Sequence, residues 1–434
     1  MDLLNILNSV NCTLGFPATL LFLGVALLLT IKTGCIQLRA LPRFFYLLKH
    51  QNKGHAHGKT ISSFQALFTA MATTIGIGNI VGPSLAIIVG GPGALFWIVA
   101  YAFFAAVTKF TEVTFAVHTR IKDADGTIIG GPMQYLRAVH PFIANWYGFI
   151  MMILFAGWSG TQANTLAGIL AKENIATWQT GLALAIIATW VLIGGAQRIG
   201  YLASKVVPGM FVAYLIFALS ILFKDLPALK DAFYLIMSSI FTPAAAVGGF
   251  VGASVFDAMR SGVYNSIYIT EAGVGTASIA HALADTNRPS DQGILAMYSI
   301  FAEIFLCTLS GLLVLVTGVW QGGEFSNTLM YEVFKLHSPV LGRYLLVLSI
   351  GLFALTTIIG NSFNGSQTFS SFFGHKRVRW YYLFVVLLIF FGAQMRVPLI
   401  WAMMNFLLTF VVVPNLLGLV VLSFRKPKVM SIEK

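Results

Sequence analysis

Apolar stretches recur from one end of the chain to the other and are separated by short polar segments. A helix needs roughly 20 mostly apolar residues to cross the hydrocarbon core of a bilayer, so each long stretch predicts one membrane span. The pattern predicts about eleven spans in one all-α integral membrane domain, and the fifth and tenth need their flanking residues to cross. The predicted spans are Phe16–Lys32, Phe64–Val89, Ala94–Val117, Trp146–Leu170, Gly181–Gly194, Tyr201–Phe223, Phe241–Tyr264, Gly293–Trp320, Tyr344–Phe363, Trp380–Gly392 and Pro398–Phe424.

The composition agrees with a membrane protein. Of the 434 residues, 57% are hydrophobic and 10% are charged, against about 25% charged residues in a typical soluble domain. No lysine or arginine precedes Lys32, so the first span lacks the basic start of a signal peptide and is expected to be retained. Cys12, Cys35 and Cys307 have no metal-ligand or disulfide spacing, and we expect no cofactor.

The net charge of +12 lies mainly in alternate connections. Lysine and arginine cluster after spans one, three, five, seven and nine and in the C-terminal tail, whereas the other connections are poorer in positive charge or balance it. Positive loops mark the cytoplasmic side, which predicts an outside N-terminus and a cytoplasmic C-terminus. The expected location is a bacterial-type inner membrane. The excess charge therefore predicts orientation and contact with anionic lipid rather than a nucleic-acid partner, and no obligate protein partner is inferred.

Two predicted spans contain helix-breaking residues. The second contains Gly76-Ile77-Gly78-Asn79 followed by Gly82-Pro83, and the seventh contains Gly248-Gly249-Phe250 and Gly252. Glycine-interrupted spans at matching positions in two halves are typical of a transporter's binding site, although glycine also permits simple close packing of helices. After the first span, the two broken spans are the first and sixth of the remaining ten, which predicts two inverted repeats at 61–230 and 231–425. An extra helix at 1–60 precedes them and a tail at 426–434 follows.

Short motifs along residues 64–422 carry a family resemblance. They include Gln65–Ala70, Gly76–Ile80, Gly90–Ala94, Gly130–Met133, Gly248–Gly252, Glu271–Gly275, Ile279–His281, Cys307–Leu309, Leu352–Thr357 and Pro414–Leu416. In this order and spacing they resemble the alanine/glycine:cation symporter family, also called sodium:alanine symporters. The resemblance implies a LeuT-type core of ten helices, and symport of Na⁺, with H⁺ as the alternative ion, with alanine (L or D), glycine or a similar amino acid.

An amino-acid zwitterion needs donors for its carboxylate and acceptors for its ammonium group. Broken helices supply both at their half-helix ends, and small residues there let the backbone approach the substrate. The resemblance adds the amides of the fourth span, for which packing between helices is the alternative explanation. The predicted substrate-binding residues are Thr74, Gly76, Gly78, Asn79, Gln162, Asn164, Gly248, Gly249, Phe250 and Asn361.

The resemblance also implies a sodium site. Thr356 and Thr357 match the segment that forms a sodium site with the first broken helix in LeuT-type transporters, and Gly76 and Asn79 complete the predicted ligand set. Threonines in membrane helices often donate to their own backbone instead, which is the alternative. At Asn361 the family commonly has tryptophan, so we expect a larger or more polar pocket here, and a different small zwitterion as substrate stays an alternative.

Ionisable residues inside spans are costly and are usually functional. Asp257 and Glu303 qualify, as do Lys109 and Glu112, whose i, i+3 spacing predicts a salt bridge between them.

Three other functions are alternatives. They are amino-acid exchange, a channel, and an intramembrane serine protease that would use the Gly157–Gly160 motif with His281 in a predicted cytoplasmic loop. Two broken helices suit alternating access better than a channel, and the predicted loop position of His281 argues against the protease. The sequence is therefore predicted to encode a cation-coupled symporter rather than an enzyme.

Overall fold

The computed structural model describes residues 2–50, 60–122, 128–193, 195–241, 255–323 and 325–431. Almost all of them are helical, and two short antiparallel strands, β1 (Ile121–Lys122) and β2 (Ile128–Ile129), pair in the register Ile121 to Ile129. Three 3₁₀-helices cover Val319–Gly322, His375–Arg377 and Pro427–Met430 in the described part of the chain. The α-helices are α1 (Leu3–Lys32), α2 (Ile36–Arg39), α3 (Leu41–Lys49), α4 (Ser63–Thr74), α5 (Ile77–Gly90), α6 (Gly93–Thr119), α7 (Pro132–Arg137), α8 (Pro141–Ala171), α9 (Thr177–Ile193), α10 (Gly195–Lys224), α11 (Leu226–Ser238), α12 (Val255–Thr270), α13 (Ala277–Ala282), α14 (Pro289–Thr317), α15 (Leu329–His337), α16 (Leu341–Phe373), α17 (Val378–Gly392) and α18 (Val397–Arg425).

Each predicted span coincides with at least one helix. Within the described residues, six helices are long and apolar enough to cross a membrane alone, and two bent pairs raise that number to eight. The predicted short fifth span is α9, with 17 residues. The predicted end of span seven at Tyr264 is wrong, because α12 continues to Thr270.

Large apolar side chains cover the outside of the helix bundle. Ile31, Ile193 and Tyr234, for example, are 76–80% exposed. In water such an apolar surface would favour aggregation or association, whereas in a bilayer it faces lipid tails. The surface and the long apolar helices together indicate a multi-pass membrane protein.

The additional first helix packs along the last one. Near its start, Asn11 Nδ2 donates to Ala402 O at 2.9 Å. At its end, Lys32 Nζ donates to Ser423 Oγ at 3.2 Å and lies 3.1 Å from the centre of the Phe424 ring. Contacts near both ends therefore hold α1 in register with α18, and α1 also packs on α6.

Two arginine side chains connect helices at the end of the bundle away from the first turns of α1. Arg120, which follows α6, donates from its guanidinium to the carbonyls of Ala282, Ala284 and Thr286 at 2.5–2.9 Å, beyond the end of α13. Arg43 forms two hydrogen bonds with the Asp291 carboxylate at 2.7 and 2.9 Å. These contacts connect α3, α6, α13 and α14 on one side of the bundle.

His281 was predicted to lie in a loop, and this prediction is wrong. It is fully buried in α13, and its Nδ1 lies 2.6 Å from Gln292 Nε2. Ser159 Oγ donates to Phe155 O within its own helix at 3.1 Å. Neither side chain is engaged with the other, so the arrangement gives no support to a serine protease.

Candidate functional site

The first broken helix is interrupted between α4 and α5. The last residue of α4 is Thr74, Gly76 is extended, and the axes of the two helices differ by 41°. Gly76 N–H donates to Asn79 Oδ1 at 2.9 Å, and Ile77 N–H donates to Gln162 Oε1 at 3.3 Å. The first N–H groups of a helix lack partners within that helix, so these two amide side chains stabilise the beginning of α5 inside the bundle.

The second broken helix is interrupted between α12 and α13. Residues 271–276 are all buried and non-helical, with Gly273 and Gly275 at φ +94°, a conformation that glycine adopts without steric cost. Side chains from other helices hold this segment: Asn415 Nδ2 donates to Gly273 O at 2.8 Å, and Tyr147 OH donates to Val274 O at 2.7 Å. The segment is therefore an ordered interruption in the interior of the protein.

This second break differs from the predicted one. The prediction chose Gly248, Gly249 and Phe250, which lie outside the described residues, and the observed break follows later in the chain at 271–276. The Glu-Ala-Gly-Val-Gly sequence at 271–275 held the signal, because two glycines precede a short second half-helix there. The predicted seventh span ends at Tyr264 and therefore excludes these residues.

A small cavity lies between the two breaks. It brings together five predicted substrate residues (Thr74, Gly76, Gly78, Gln162 and Asn361) and the predicted sodium ligand Thr357. The structure adds four lining residues that sequence reasoning missed, namely Thr73, Trp158, Tyr268 and Glu271.

Two predicted site residues have other partners. Asn164 Nδ2 donates to Gly392 O and Met395 O at 2.9 and 2.7 Å, so its amide holds the connection between α17 and α18. Thr356 Oγ1 donates to Leu352 O at 3.0 Å, within its own helix. The observed contacts of Asn164 are therefore those of helix packing, and the Thr356 hydroxyl bonds to its own helix backbone.

Thr357 has a different environment from Thr356. Its Oγ1 is buried and has no hydrogen-bond partner among the described residues. This oxygen lies so close to Gly76 that a Cβ atom added there would overlap it. A buried free oxygen beside the end of a half-helix, whose last carbonyls carry negative partial charge, is a chemically suitable ligand for a small cation.

The central charges pair differently from the prediction. Lys109 Nζ lies 3.0 Å from Glu303 Oε1, and the predicted Lys109–Glu112 salt bridge is wrong. Glu112 Oε1 instead accepts a hydrogen bond from Asn415 Nδ2 at 2.8 Å. Glu303 Oε1 also accepts from Thr74 Oγ1 at 2.7 Å, which brings the ion pair to the end of α4.

A second, larger cavity opens at the end of the bundle where α1 begins. It has a volume of about 380 Å³ and is lined by α1, α12 and α18, including the polar residues Arg260, Asn265 and Asn405. Asp257 pairs with Arg260 at 3.4 Å, so this predicted intramembrane charge belongs to the cavity end of α12. Tyr268 lines both cavities, and its side chain therefore stands between the large cavity and the site at the breaks.

Comparisons with known proteins identify this architecture. The model of the sodium:alanine symporter family matches residues 1–431. The chain is 34% identical over 441 residues to the sodium/alanine symporter AgcS of Methanococcus maripaludis, with 98% of this chain and 95% of that protein covered. It is 28% identical over 414 residues to the probable sodium/glutamine symporter GlnT of Bacillus subtilis, with 93% and 84% covered.

The fold is similar to that of a solved transporter. The crystal structure of MhsT in complex with L-phenylalanine aligns with a TM-score of 0.60 at 14% identity, covering 86% of this chain and 90% of that one. The likeness establishes the LeuT fold, in agreement with the two broken helices that face one cavity. The chain therefore belongs to the sodium:alanine symporter family and is a LeuT-fold transporter for cation-coupled amino-acid symport.

Proposed function

We propose that the transported substrate is a small neutral amino acid such as alanine or glycine, held between the two helix breaks. The observation that carries this proposal is that both breaks border the same cavity, with Gly78 in the first turn of α5. The first N–H groups of a helix have no partner within it and favour an anion. Gly78 has no side chain to hinder a substrate carboxylate, and Asn361 Oδ1, which lacks a partner among the described residues, can accept from an ammonium group.

The lining favours small substrates. Trp158 and Tyr268 border the cavity together with Gly76 and Gly78, and their ring centres lie 5.5 Å apart. Because these rings leave little room for a long side chain, we assign a short one to the substrate. Asn361 adds a polar side chain to the same lining.

A competition experiment tests the substrate. Unlabelled glycine, both alanine enantiomers, serine and glutamine would each be tested as competitors of labelled alanine uptake by the wild type and by Asn361→Trp. We expect the small amino acids to compete, and Asn361→Trp to weaken serine relative to glycine by about tenfold, as expected for one group excluded from a pocket. Asn361→Gln, which keeps an amide, is the matched control. No uptake of labelled alanine, or stronger competition by glutamine than by glycine and serine, would contradict the proposal.

We assign the coupling Na⁺ to Thr357 Oγ1 and to backbone carbonyls at the end of α4. Of the predicted ligands, Asn79 and Thr356 have their side chains engaged elsewhere, whereas Thr357 Oγ1 is free and lies against Gly76. Coupling to H⁺ is the alternative, and the ion requirement of uptake decides between them.

Thr357→Val is expected to raise the half-saturating Na⁺ concentration about tenfold, which corresponds to about 1.4 kcal/mol for one lost oxygen ligand. Thr356→Val is the matched control, because that hydroxyl bonds only to its own helix, and its effect should stay within about twofold. The measurement is the initial rate of uptake against Na⁺ concentration. Equal shifts in the two variants would contradict the assignment.

We further propose that the large cavity opens outside the cell and that the C-terminus is cytoplasmic. Cys12 is exposed and lines this cavity, whereas Cys35 is exposed beyond the other end of α1. A membrane-impermeant maleimide applied to intact cells is expected to label Cys35→Ser, which keeps Cys12, and to leave Cys12→Ser unlabelled. The reverse pattern would invert the orientation. Cys307 is buried and serves as an internal negative control.

A further inference from the structure

The ammonium group of Lys109 lies at the junction of both broken helices. Its side chain is 1% exposed, and its Nζ lies 3.0 and 3.3 Å from the two carboxylate oxygens of Glu303. It also donates to Thr270 O at 3.1 Å. Thr270 is the last residue of α12, so this contact is made to the point where the second break begins.

The Glu303 carboxylate, which pairs with this ammonium, also contacts the first break. Glu303 Oε1 accepts from Thr74 Oγ1 at 2.7 Å, and Thr74 is the last residue of α4. The main chain of Glu303 is also close to the break, because Asn79 Nδ2 lies 3.5 Å from its carbonyl oxygen. Lys109 on α6 therefore contacts the end of α12 directly, through Thr270 O, and the end of α4 indirectly, through the Glu303 carboxylate on α14.

The groups around Lys109 Nζ are hard oxygen donors. They are the Thr270 carbonyl at a helix C-terminus, which carries negative partial charge, and the two carboxylate oxygens of Glu303. The Thr74 hydroxyl donates a hydrogen bond to the same carboxylate. Hard cations such as metal ions prefer such oxygens. Thr270 O is the third acceptor of the ammonium, so the hydrogen bonds of Lys109 Nζ go to Glu303 and to the end of α12.

We infer that Lys109 is a permanently bound cation that occupies an ion position between the two breaks. Because the ammonium is covalently attached, no ion has to be loaded or released at this position during transport. Removal of the ammonium should leave a negatively charged group of oxygens that Na⁺ can occupy. The inference concerns a position separate from Thr357 and does not depend on which amino acid is carried.

The test is the number of ²²Na⁺ ions bound by purified, monodisperse protein. Lys109→Ala is expected to bind one more Na⁺ than the wild type, whatever the wild-type number is. Lys109→Arg keeps the charge and should bind the wild-type number. Lys109→Ala/Glu303→Gln removes both charges together, which a buried pair tolerates better than removal of one partner, and this variant should show no gain.

Each outcome decides the inference. An unchanged ion count in folded Lys109→Ala would overturn it, and so would a gain that persists in the double variant, because the added ion would then not need Glu303. If Lys109→Ala needs a bound cation to stay folded, the inference predicts that the variant remains monodisperse in Na⁺ and aggregates in choline. Aggregation in both salts would also overturn the inference. Since the readout is a difference in ion count, it stands apart from any failure of the proposed substrate or of the Na⁺ site at Thr357.

Discussion

Replacement of Glu303 by alanine is expected to lower the free energy of unfolding by about 3–5 kcal/mol, because it leaves a buried ammonium without its counterion. Lys109 and Glu303 are both essentially inaccessible to solvent, and their nitrogen and oxygen atoms are 3.0 Å apart. The variant also removes the acceptor of the Thr74 hydroxyl at the end of α4. Both losses act on the same break, so transport should fall together with stability.

An exposed ion pair in the same chain provides the control. Glu332 lies 3.8 Å from Lys172, and the two side chains are 38% and 52% exposed. Pairs of this kind contribute about 0–1 kcal/mol, so Glu332→Ala should be nearly neutral. The measurement is the temperature at which half of the detergent-solubilised protein stays monodisperse. Equal temperatures for the two variants would show that the central pair contributes little to stability.

Gly76→Ala is expected to reduce the initial rate of Na⁺-driven uptake by at least about tenfold, since overpacking of a close contact costs about 1–3 kcal/mol. An added Cβ would overlap Thr357 Oγ1, so either the break or α16 must shift. A similar contact lies one turn further along α16, where a Cβ on Gly360 would overlap Thr73 Cγ2. Glycine at both positions lets α4 and α16 approach closely at the proposed Na⁺ site.

Gly82→Ala, in the helix α5 that follows the break, is the matched control for this prediction. A Cβ at Gly82 would lie 3.4 Å from Ile269 Cδ1, which is an ordinary van der Waals contact. This variant should transport at close to the wild-type rate when uptake is normalised to the amount of protein in the membrane. Equal rates for Gly76→Ala and Gly82→Ala would refute the close-contact account.

The sequence is informative about features that depend on local composition. Long apolar runs predict the helices, and Gly76 and Gly78 inside such a run predict the first break. The break at 271–276 is not predicted by the apolar pattern because its second half, α13, is only six residues long and has no apolar run of its own. The glycines at 248–252 favour a predicted break there, whereas Gly273 and Gly275 have the positive φ angles of the break that the structure describes.

Contacts between distant segments could not be predicted from spacing. Lys109 and Glu112 share a helix face, yet Lys109 reaches Glu303, which is 194 residues away in the sequence. Asn164 is two residues from Gln162, but its amide contacts the connection after α17 instead of the cavity. Periodicity gives the face of a helix, and only the packing of the helices determines which group on another helix meets it.

The central claim is that a Na⁺ gradient drives accumulation of a small neutral amino acid. One Na⁺ moving down a potential of about 100 mV releases about 2.3 kcal/mol, and a tenfold concentration gradient adds about 1.4 kcal/mol. At one Na⁺ per substrate, this energy sustains a gradient of roughly several hundredfold.

The most direct measurement is uptake of labelled alanine or glycine into proteoliposomes that contain the purified protein and an imposed inward Na⁺ gradient. The account predicts accumulation well above the external concentration, which disappears when the Na⁺ gradient is dissipated. Accumulation driven by a proton gradient alone would replace Na⁺ with H⁺ as the coupling ion. Uptake that stops at equal concentrations while both gradients are intact would contradict coupled symport of these amino acids.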